Sequence, residues 1–571
     1  MVPSAWKRVV GIYRALIDAI CRVVRLNAGF KDELERTTGR LSWLNACSVL
    51  ITIAATGLAF EDGLRQDMHR VAPDAVDMLA QTVAIDISRR LHGTTGYVGR
   101  TEVLETLFQG GFTGRQNYLD KLGIQYPANV EMPDRINAAI QSALALKNLP
   151  EDATFANRRL FAPGANDPGF VDYVSWSFEI FGFRVESLYY FYFLILSASI
   201  ALFLICFRND ALPLLILSGV MVAFLILLDS QLFSLPQLRT VHNQRFLVTL
   251  CVVPYLHLLF TFVIYRRPTL SRVLVTALQA VLFTFVMFTR SSALWMLLSF
   301  AVIAALNVMF RLGRQREEQK VTHAAKLVFS WPVILLALGL GGSSIYKSSV
   351  LHPMYSVGTF LPSHMVWHNA YMALGLHPDW KTLGDKYDGR PVPDPMSDNV
   401  GWTAAALEAT QGYGMPESYL FDGDIGGLPS YKTTLHEKLI KERYLRFAFQ
   451  HPRFMLELML WYKPRMLLAE FGWAYSNYNW KVWNLLCLTA FLVVATMASR
   501  WLKIPTYVRR MLSSAFLVTG VMSLAPLFWT VPLAHIAGEQ FLIWSAILLY
   551  FATLFLNKGW SIIRPVALPR A

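Results

Sequence analysis

Apolar residues come in ten long blocks along this chain, and the polar residues fall between them. The blocks lie at roughly 43–60, 187–207, 211–228, 246–265, 270–289, 291–310, 327–346, 482–499, 511–532 and 541–557. Each is long enough to cross a bilayer as a helix, which closes its own backbone hydrogen bonds where no water can do so. Almost no charge lies inside the blocks, and His257 is the main titratable group there. Intramembrane charges are costly and usually mark ion or proton paths, so ion coupling has little to build on. The pattern predicts an all-α polytopic membrane protein of about ten transmembrane helices, with two large, mainly helical loops at 61–186 and 347–481.

Charge sets the expected orientation. Segments 1–42, 208–210, 265–272, 311–326, 500–510 and 557–571 fall on one side and hold 24 Lys and Arg. The short loops opposite, 229–245, 289–292 and 533–540, hold 3. Basic loops stay cytoplasmic, so both termini are expected inside and both large loops outside. The organisation expected is a basic segment 1–42, TM1 at 43–60, a first loop domain at 61–186, TM2 to TM7 within 187–346, a second loop domain at 347–481, TM8 to TM10 within 482–557, and a tail at 558–571. The first segment carries apolar and basic residues at helical spacing over 3–26, as in a helix lying on the inner leaflet. A second loop helix is expected at 131–148, and 433–470 reads as a long amphipathic region broken at Pro452 and Pro464.

The 571 residues are 54% hydrophobic, too apolar for an ordinary soluble protein. The net charge of +13 invites a nucleic-acid reading, but its concentration in short loops is a topology signal, so no nucleic-acid partner is expected. Cys47, Cys206, Cys251 and Cys487 fall in apolar blocks, Cys21 in the basic segment, and neither large loop contains a cysteine, which excludes a disulfide framework there. The first long apolar run starts only near Trp43, so no cleavable signal is expected. Walker A, GxSxG, HExxH and GxGxxG motifs are absent from any usable context, which argues against ATP hydrolysis. Gly339, Gly341 and Gly342 cluster in the seventh block, where small residues suit close helix contact.

Candidate chemistry gathers in the outer loops. Glu61 and Asp62 follow the first block directly, with Asp67 close behind. A carboxylate at the membrane edge can take a proton from a sugar hydroxyl while a lipid tail stays in the bilayer; it can equally serve only to keep the helix end in water. The loop 229–245 carries Arg239, His242 and Arg245, and Arg290 stands alone between two blocks. Cations in short outer loops run against the orientation bias. A phosphate is one partner for them, through bidentate hydrogen bonds, and lipid headgroups or loop carboxylates are the other. In the second loop, Trp367, His368, Asn369 and Tyr371 form an aromatic and polar cluster suited to a sugar face or to an interfacial belt. His364 and His368 stand at metal-ligand spacing, but no metal site is assigned. The acidic residues from Asp379 to Asp398 do not follow the EF-hand pattern, and His535 and Glu539 flank the last outer turn.

The order of these features resembles the GT-C superfamily of membrane glycosyltransferases: one span, a large outer loop opening on acidic residues, six spans with short loops, then a second large outer loop. The resemblance covers 43–346 best. The stretch 437–468 also resembles the helices that precede the last spans of such enzymes, through His451, Pro452 and Lys463. Where the family commonly carries DXD or EXD, this chain has the contiguous pair Glu61–Asp62. Residues 169–196 also resemble a segment of bacterial polytopic membrane proteins, to which no function attaches. The superfamily resemblance implies transfer of a sugar from a polyprenyl-phosphate donor to a glycan or lipid acceptor, in a bacterial inner membrane. Glu61 or Asp62 would be the base, Arg239, His242, Arg245 and Arg290 would hold phosphate, and Trp367, His368, Asn369 and Tyr371 would bind substrate. The partners implied are membrane lipid, a lipid-linked sugar donor and the acceptor. No cofactor is required, although a divalent metal is compatible. Two alternatives stay open: a lipid-linked glycan polymerase or ligase, and a non-enzymatic transporter or flippase of lipid-linked sugars.

Overall fold

The computed structural model describes residues 41–69, 168–182, 184, 186–229, 244–264, 268–290, 293–312, 330–350, 366–387, 390–391, 398–415, 433–476, 481–502, 504–528 and 538–563. The expected helices at 3–26 and 131–148 lie outside them, as do Arg239, His242, His364 and His535.

The membrane part is built from α1 (Leu41–His69), α2 (Pro168–Phe181), α3 (Glu186–Phe207), α4 (Ala211–Asp229), α5 (Gln244–Leu247), α6 (Val252–Ile264), α7 (Leu270–Thr289), α8 (Leu294–Leu312) and α9 (Trp331–Val350). A tight helical turn, Val248–Cys251, joins α5 to α6. Among the described residues, eight helices are long and apolar enough to cross a membrane, and Val248–Ile264 and Leu294–Met309 are shorter apolar helices. The protein is an integral membrane protein.

Helix α4 is the hub. It is apolar all round and almost entirely buried, as a helix without a polar face must be. It packs against α1 and against the later helices α16 (Val482–Trp501) and α18 (Glu539–Ile563). Helix α7 joins α2, α3, α6 and α9, and α8 packs on α17 (Thr506–Met522). Helix α9 is mostly exposed. Of its three clustered glycines only Gly339 makes a close contact, where a Cβ would stand 3.3 Å from Thr284, while Gly341 and Gly342 face open space. The seventh block therefore uses one small residue, not three, against its neighbour.

Several polar groups inside the bundle are answered by hydroxyls and backbone carbonyls. The Tyr255 hydroxyl sits between Ser299 (2.8 Å) and Thr519 (2.6 Å). The Gln279 amide donates to the Ser199 carbonyl at 2.7 Å, and His257 meets Thr276 at 3.3 Å. His257 is thereby a packed and partnered interior residue.

Contacts sort the helix ends into two groups. At one end, Asn45 donates to the Arg208 carbonyl, Asn557 to the carbonyls of Ser499 and Leu502, and Tyr550 to that of Arg509. At the other, the Tyr189 hydroxyl donates to the Phe60 carbonyl at 2.9 Å, and the Tyr192 hydroxyl meets Thr249 at 2.5 Å. Phe246 stacks on Tyr192, and Gly538, which precedes α18, lies against Thr249. This second group is the Glu61 end.

The described residues between 366 and 476 form a helical unit with its own core: α10 (Val366–Met372), α11 (Trp380–Leu383), α12 (Asp398–Leu407), α13 (Thr433–Gln450), α14 (Pro452–Glu457) and α15 (Lys463–Ser476). A two-residue antiparallel pair, β1 (Lys386–Tyr387) and β2 (Arg390–Pro391), interrupts it. Tyr371, Leu374, Trp380, Val400, Leu439, Ile440 and Phe454 fill the core. The unit is fixed to the Glu61 end. The buried Lys463 ammonium donates to the carbonyl of Leu527, and Leu467 packs on the Leu527 side chain. Leu527 closes the span Thr506–Leu527.

Candidate functional site

Helix α1 does not stop where its apolar block stops. It continues to His69, so Glu61, Asp62 and Asp67 all lie on a helix rather than in a loop. Glu61 is exposed, one residue beyond the Phe60 carbonyl that Tyr189 holds. Phe60 itself packs among Tyr189, Tyr190 and Phe193. An aromatic wall thus fixes the height at which the first carboxylate emerges. The Asp62 side chain lies outside the description.

Arg245 belongs to α5 by its backbone, and its side chain is likewise outside the description. Its neighbour Phe246 stacks on Tyr192, which brings α5 to the end where Glu61 sits. Arg290 follows α7 in extended conformation and is half-buried. Beside it, α2 comes so close that a Cβ on Gly169 would stand 2.6 Å from the Phe288 backbone, so only glycine fits there. Helix α9 completes this corner. The Lys347 ammonium lies 5.9 Å from the Phe288 ring, and the Tyr346 hydroxyl donates to Asp172 at 2.7 Å. Lys347 is a cation that the sequence reading did not single out. It follows the seventh block directly, as Glu61 follows the first. Glu539 opens α18 at the same end and is buried.

The four substrate-binding candidates of the second loop all fall on α10. Helix α10 starts against α13, where the Glu437 carboxylate accepts the backbone N–H of Trp367 at 2.8 Å and of His368 at 3.0 Å. A carboxylate on the first turn of a helix satisfies donors that have no intrahelical partner. Burial raises the pKa of Glu437 while these hydrogen bonds pull it down, and burial wins. His368 is buried, with Nδ1 3.0 Å from Nε2 of His436. Trp402 packs on both rings. A Cβ on Gly401 would stand 2.4 Å from the His368 ring, so glycine alone permits this contact. Burial and the neighbouring His368 lower the pKa of His436 to about 3.

Tyr371 is buried too, and its hydroxyl donates to Asp385 at 2.6 Å. Arg443 clamps the same carboxylate through Nε at 3.0 Å and through a second guanidinium nitrogen. It also reaches Glu408 at 3.3 Å, and Arg446 donates to Glu408 at 2.6 Å. Burial works to lower the Arg443 pKa, but the hydrogen bonds and charge of Asp385 raise it. His368 and Tyr371 are therefore interior members of the unit. Trp367 and Asn369 remain half-buried, with the Lys441 ammonium 5.6 Å from the Trp367 ring.

Glu437, His436, Glu408, Arg443 and Arg446 were not singled out in the sequence. Their partners lie roughly 30 to 70 positions away in the chain, beyond any local spacing rule. No group of three or more His, Cys, Asp or Glu suited to hold a metal occurs among the described residues.

No protein-family model, curated protein or solved structure matches this chain.

Proposed function

We propose that the chain is a membrane glycosyltransferase of GT-C type, working on the extracytoplasmic face of a bacterial inner membrane with both termini cytoplasmic. In this reading the shorter helices Val248–Ile264 and Leu294–Met309 also cross, which makes ten spans. One observation carries the reading. Glu61, the backbone of Arg245, Arg290, Lys347 and the joint of the 366–476 unit all gather at one end of an integral membrane bundle.

The donor's polyprenyl tail stays in the bilayer and presents its phosphate at that end. Arg290 and Arg245, with Arg239 and His242, neutralise the phosphate; such electrostatic stabilisation is usually the largest catalytic contribution. The acceptor hydroxyl oxygen attacks the anomeric carbon as Glu61 or Asp62 takes the hydroxyl proton. The bond from anomeric carbon to phosphate oxygen breaks, and the lipid phosphate leaves with the electron pair. A single displacement of this kind inverts the anomeric centre. Trp367 and Asn369 meet acceptor or sugar, and His368 and Tyr371 shape the unit that presents them. No metal is required.

The test uses purified protein in vesicles carrying a radiolabelled polyprenyl-phosphate sugar and a pool of candidate lipid and glycan acceptors. Label appearing in a new glycosidic bond supports the proposal. One of Glu61→Gln and Asp62→Asn then lowers turnover about 100-fold while the protein still inserts. Scrambling of the labelled lipid without a new bond indicates a carrier and overturns the enzyme reading. Full activity in both variants removes the carboxylates from the mechanism.

A further inference from the structure

Residues 452–476 run as one helix through α14, a widened turn at Leu458–Tyr462, and α15. Among its described side chains, the buried ones are Phe454, Leu458, Lys463 and Leu467. They step by four, five and four positions, and the step of five falls on the widened turn. An ordinary helix would carry position 463 about 140° around the axis from 458, off the stripe begun by 454 and 458. The extra residue in the turn restores it. Lys463 consequently points into the joint with Leu527.

The same turn aligns what lies opposite. Leu456, Leu460, Trp461 and Leu468 are exposed, Leu460 at 72% and Leu468 at 68%. Phe449, just before the break at His451, is 83% exposed. Large apolar residues at this density on one side are not what a water-facing helix carries. Arg453 and Arg465 are exposed among them. The mixture of Leu, Trp and Arg fits the boundary between headgroups and acyl chains, where the aromatic ring and the Arg stems bury while the guanidinium groups reach phosphate.

Position decides the occupant. Lys463 and Leu467 hold this helix to Leu527, the last residue of the span Thr506–Leu527. On that span Leu517 and Val521 are themselves exposed, at 59% and 68%, as lipid-facing residues are. The exposed apolar side of the helix is therefore anchored at the rim of a surface that already faces lipid. We infer that helix 452–476 lies in the membrane interface, its Leu456, Leu460, Trp461 and Leu468 side seated in the lipid and its arginines on anionic headgroups. The 366–476 unit then rests on the bilayer as well as on the bundle.

Nitroxide labels at Leu456→Cys, Leu460→Cys and Leu468→Cys test this, each in the full chain with its native cysteines replaced by serine or alanine, in nanodiscs of phosphatidylcholine and phosphatidylglycerol. Lys438→Cys, on the exposed side of α13, is the control. Collision with oxygen should exceed collision with a water-soluble nickel chelate at all three sites and fall below it at Lys438. The label depth should be about 5–10 Å below the headgroups. Nickel access at Leu460 would place this face in water, and low access to both reagents would place it under a protein partner; either outcome overturns the inference. If the cysteine-replaced background does not fold, quenching by brominated lipids decides. Trp461→Phe should remove a quenchable component from the otherwise native protein, and unchanged quenching sinks the proposal.

Discussion

In the bundle, Tyr255 is answered by Ser299 and Thr519, Gln279 by a carbonyl and Tyr192 by Thr249. In the 366–476 unit, Tyr371 is answered by Asp385, and Asp385 and Glu408 by Arg443 and Arg446. Both interiors exclude water, yet away from its Glu61 end, where Asp172 and Glu539 are buried, the first uses neutral groups and the second uses ions. The difference follows from what lies outside each. A charge that misses its partner in the bundle has only hydrocarbon around it, whereas in the unit it can turn to water. A mispaired neutral hydroxyl costs less than a stranded charge, and ion pairs specify one arrangement at the risk of a large penalty when broken.

The largest expected effect tests that penalty. Glu408→Ala leaves Arg443 without one of its two carboxylates and Arg446 without the only partner it has among the described residues. Loss of a buried carboxylate of this kind costs about 3 kcal/mol, the low end of the range because Arg446 is half exposed. Proteolysis of the unit during thermal unfolding in detergent should show it, and an unchanged midpoint would mean that the ions are decorative.

Acidification comes next. His436 has a folded pKa of about 3 against 6.5 for an ordinary histidine. Unfolded chains therefore bind a proton between those values that folded chains refuse. Stability is full above pH 6.5 and falls as pH drops below it, by about 2 kcal/mol from pH 7 to pH 5. Glu437, whose folded pKa is raised, opposes this by favouring the folded state as it protonates. The difference between the pH slopes of native protein and His436→Gln isolates the histidine, and identical slopes would contradict its burial.

Gly401→Ala forces a methyl against the His368 ring and should cost about 1–2 kcal/mol, read as earlier proteolysis within the unit and no change in the bundle. The smallest effect is expected in the bundle. Tyr255→Phe should cost about 0.6 kcal/mol, the usual worth of an interhelical hydrogen bond in a membrane. A loss as large as that for Glu408→Ala would erase the contrast between the two interiors.

Hydrophobic length made the spans legible, because hydrocarbon tolerates few alternatives to a helix. Helices α3, α4 and α7 begin and end within a residue of their blocks. The extension of α1 to His69 was not legible, since EDGLRQDMH carries no apolar run that would mark the helix as continuing. Glu61 was visible because it abuts an apolar block. The Glu437 cap on α10 and the clamp of Arg443 on Asp385 were not, because they join positions that only the folded unit brings together. The aromatic and polar residues at 367–371 suggest a surface, yet His368 and Tyr371 are interior. Composition alone does not separate a sugar platform from a small aromatic core.

Helix α1 acts as a ruler as well as a rod. Positions 61 and 62 of a helix differ by only about 1.5 Å in rise but by about 100° in bearing, so a reactant approaching from one direction meets one of the two positions. Inserting a single alanine ahead of Phe60 would leave both acids at nearly the same elevation and swing each to a new bearing. Chemistry that needs only negative charge near the surface would survive such a turn of the rod. Chemistry that needs one carboxylate aimed along one line would not.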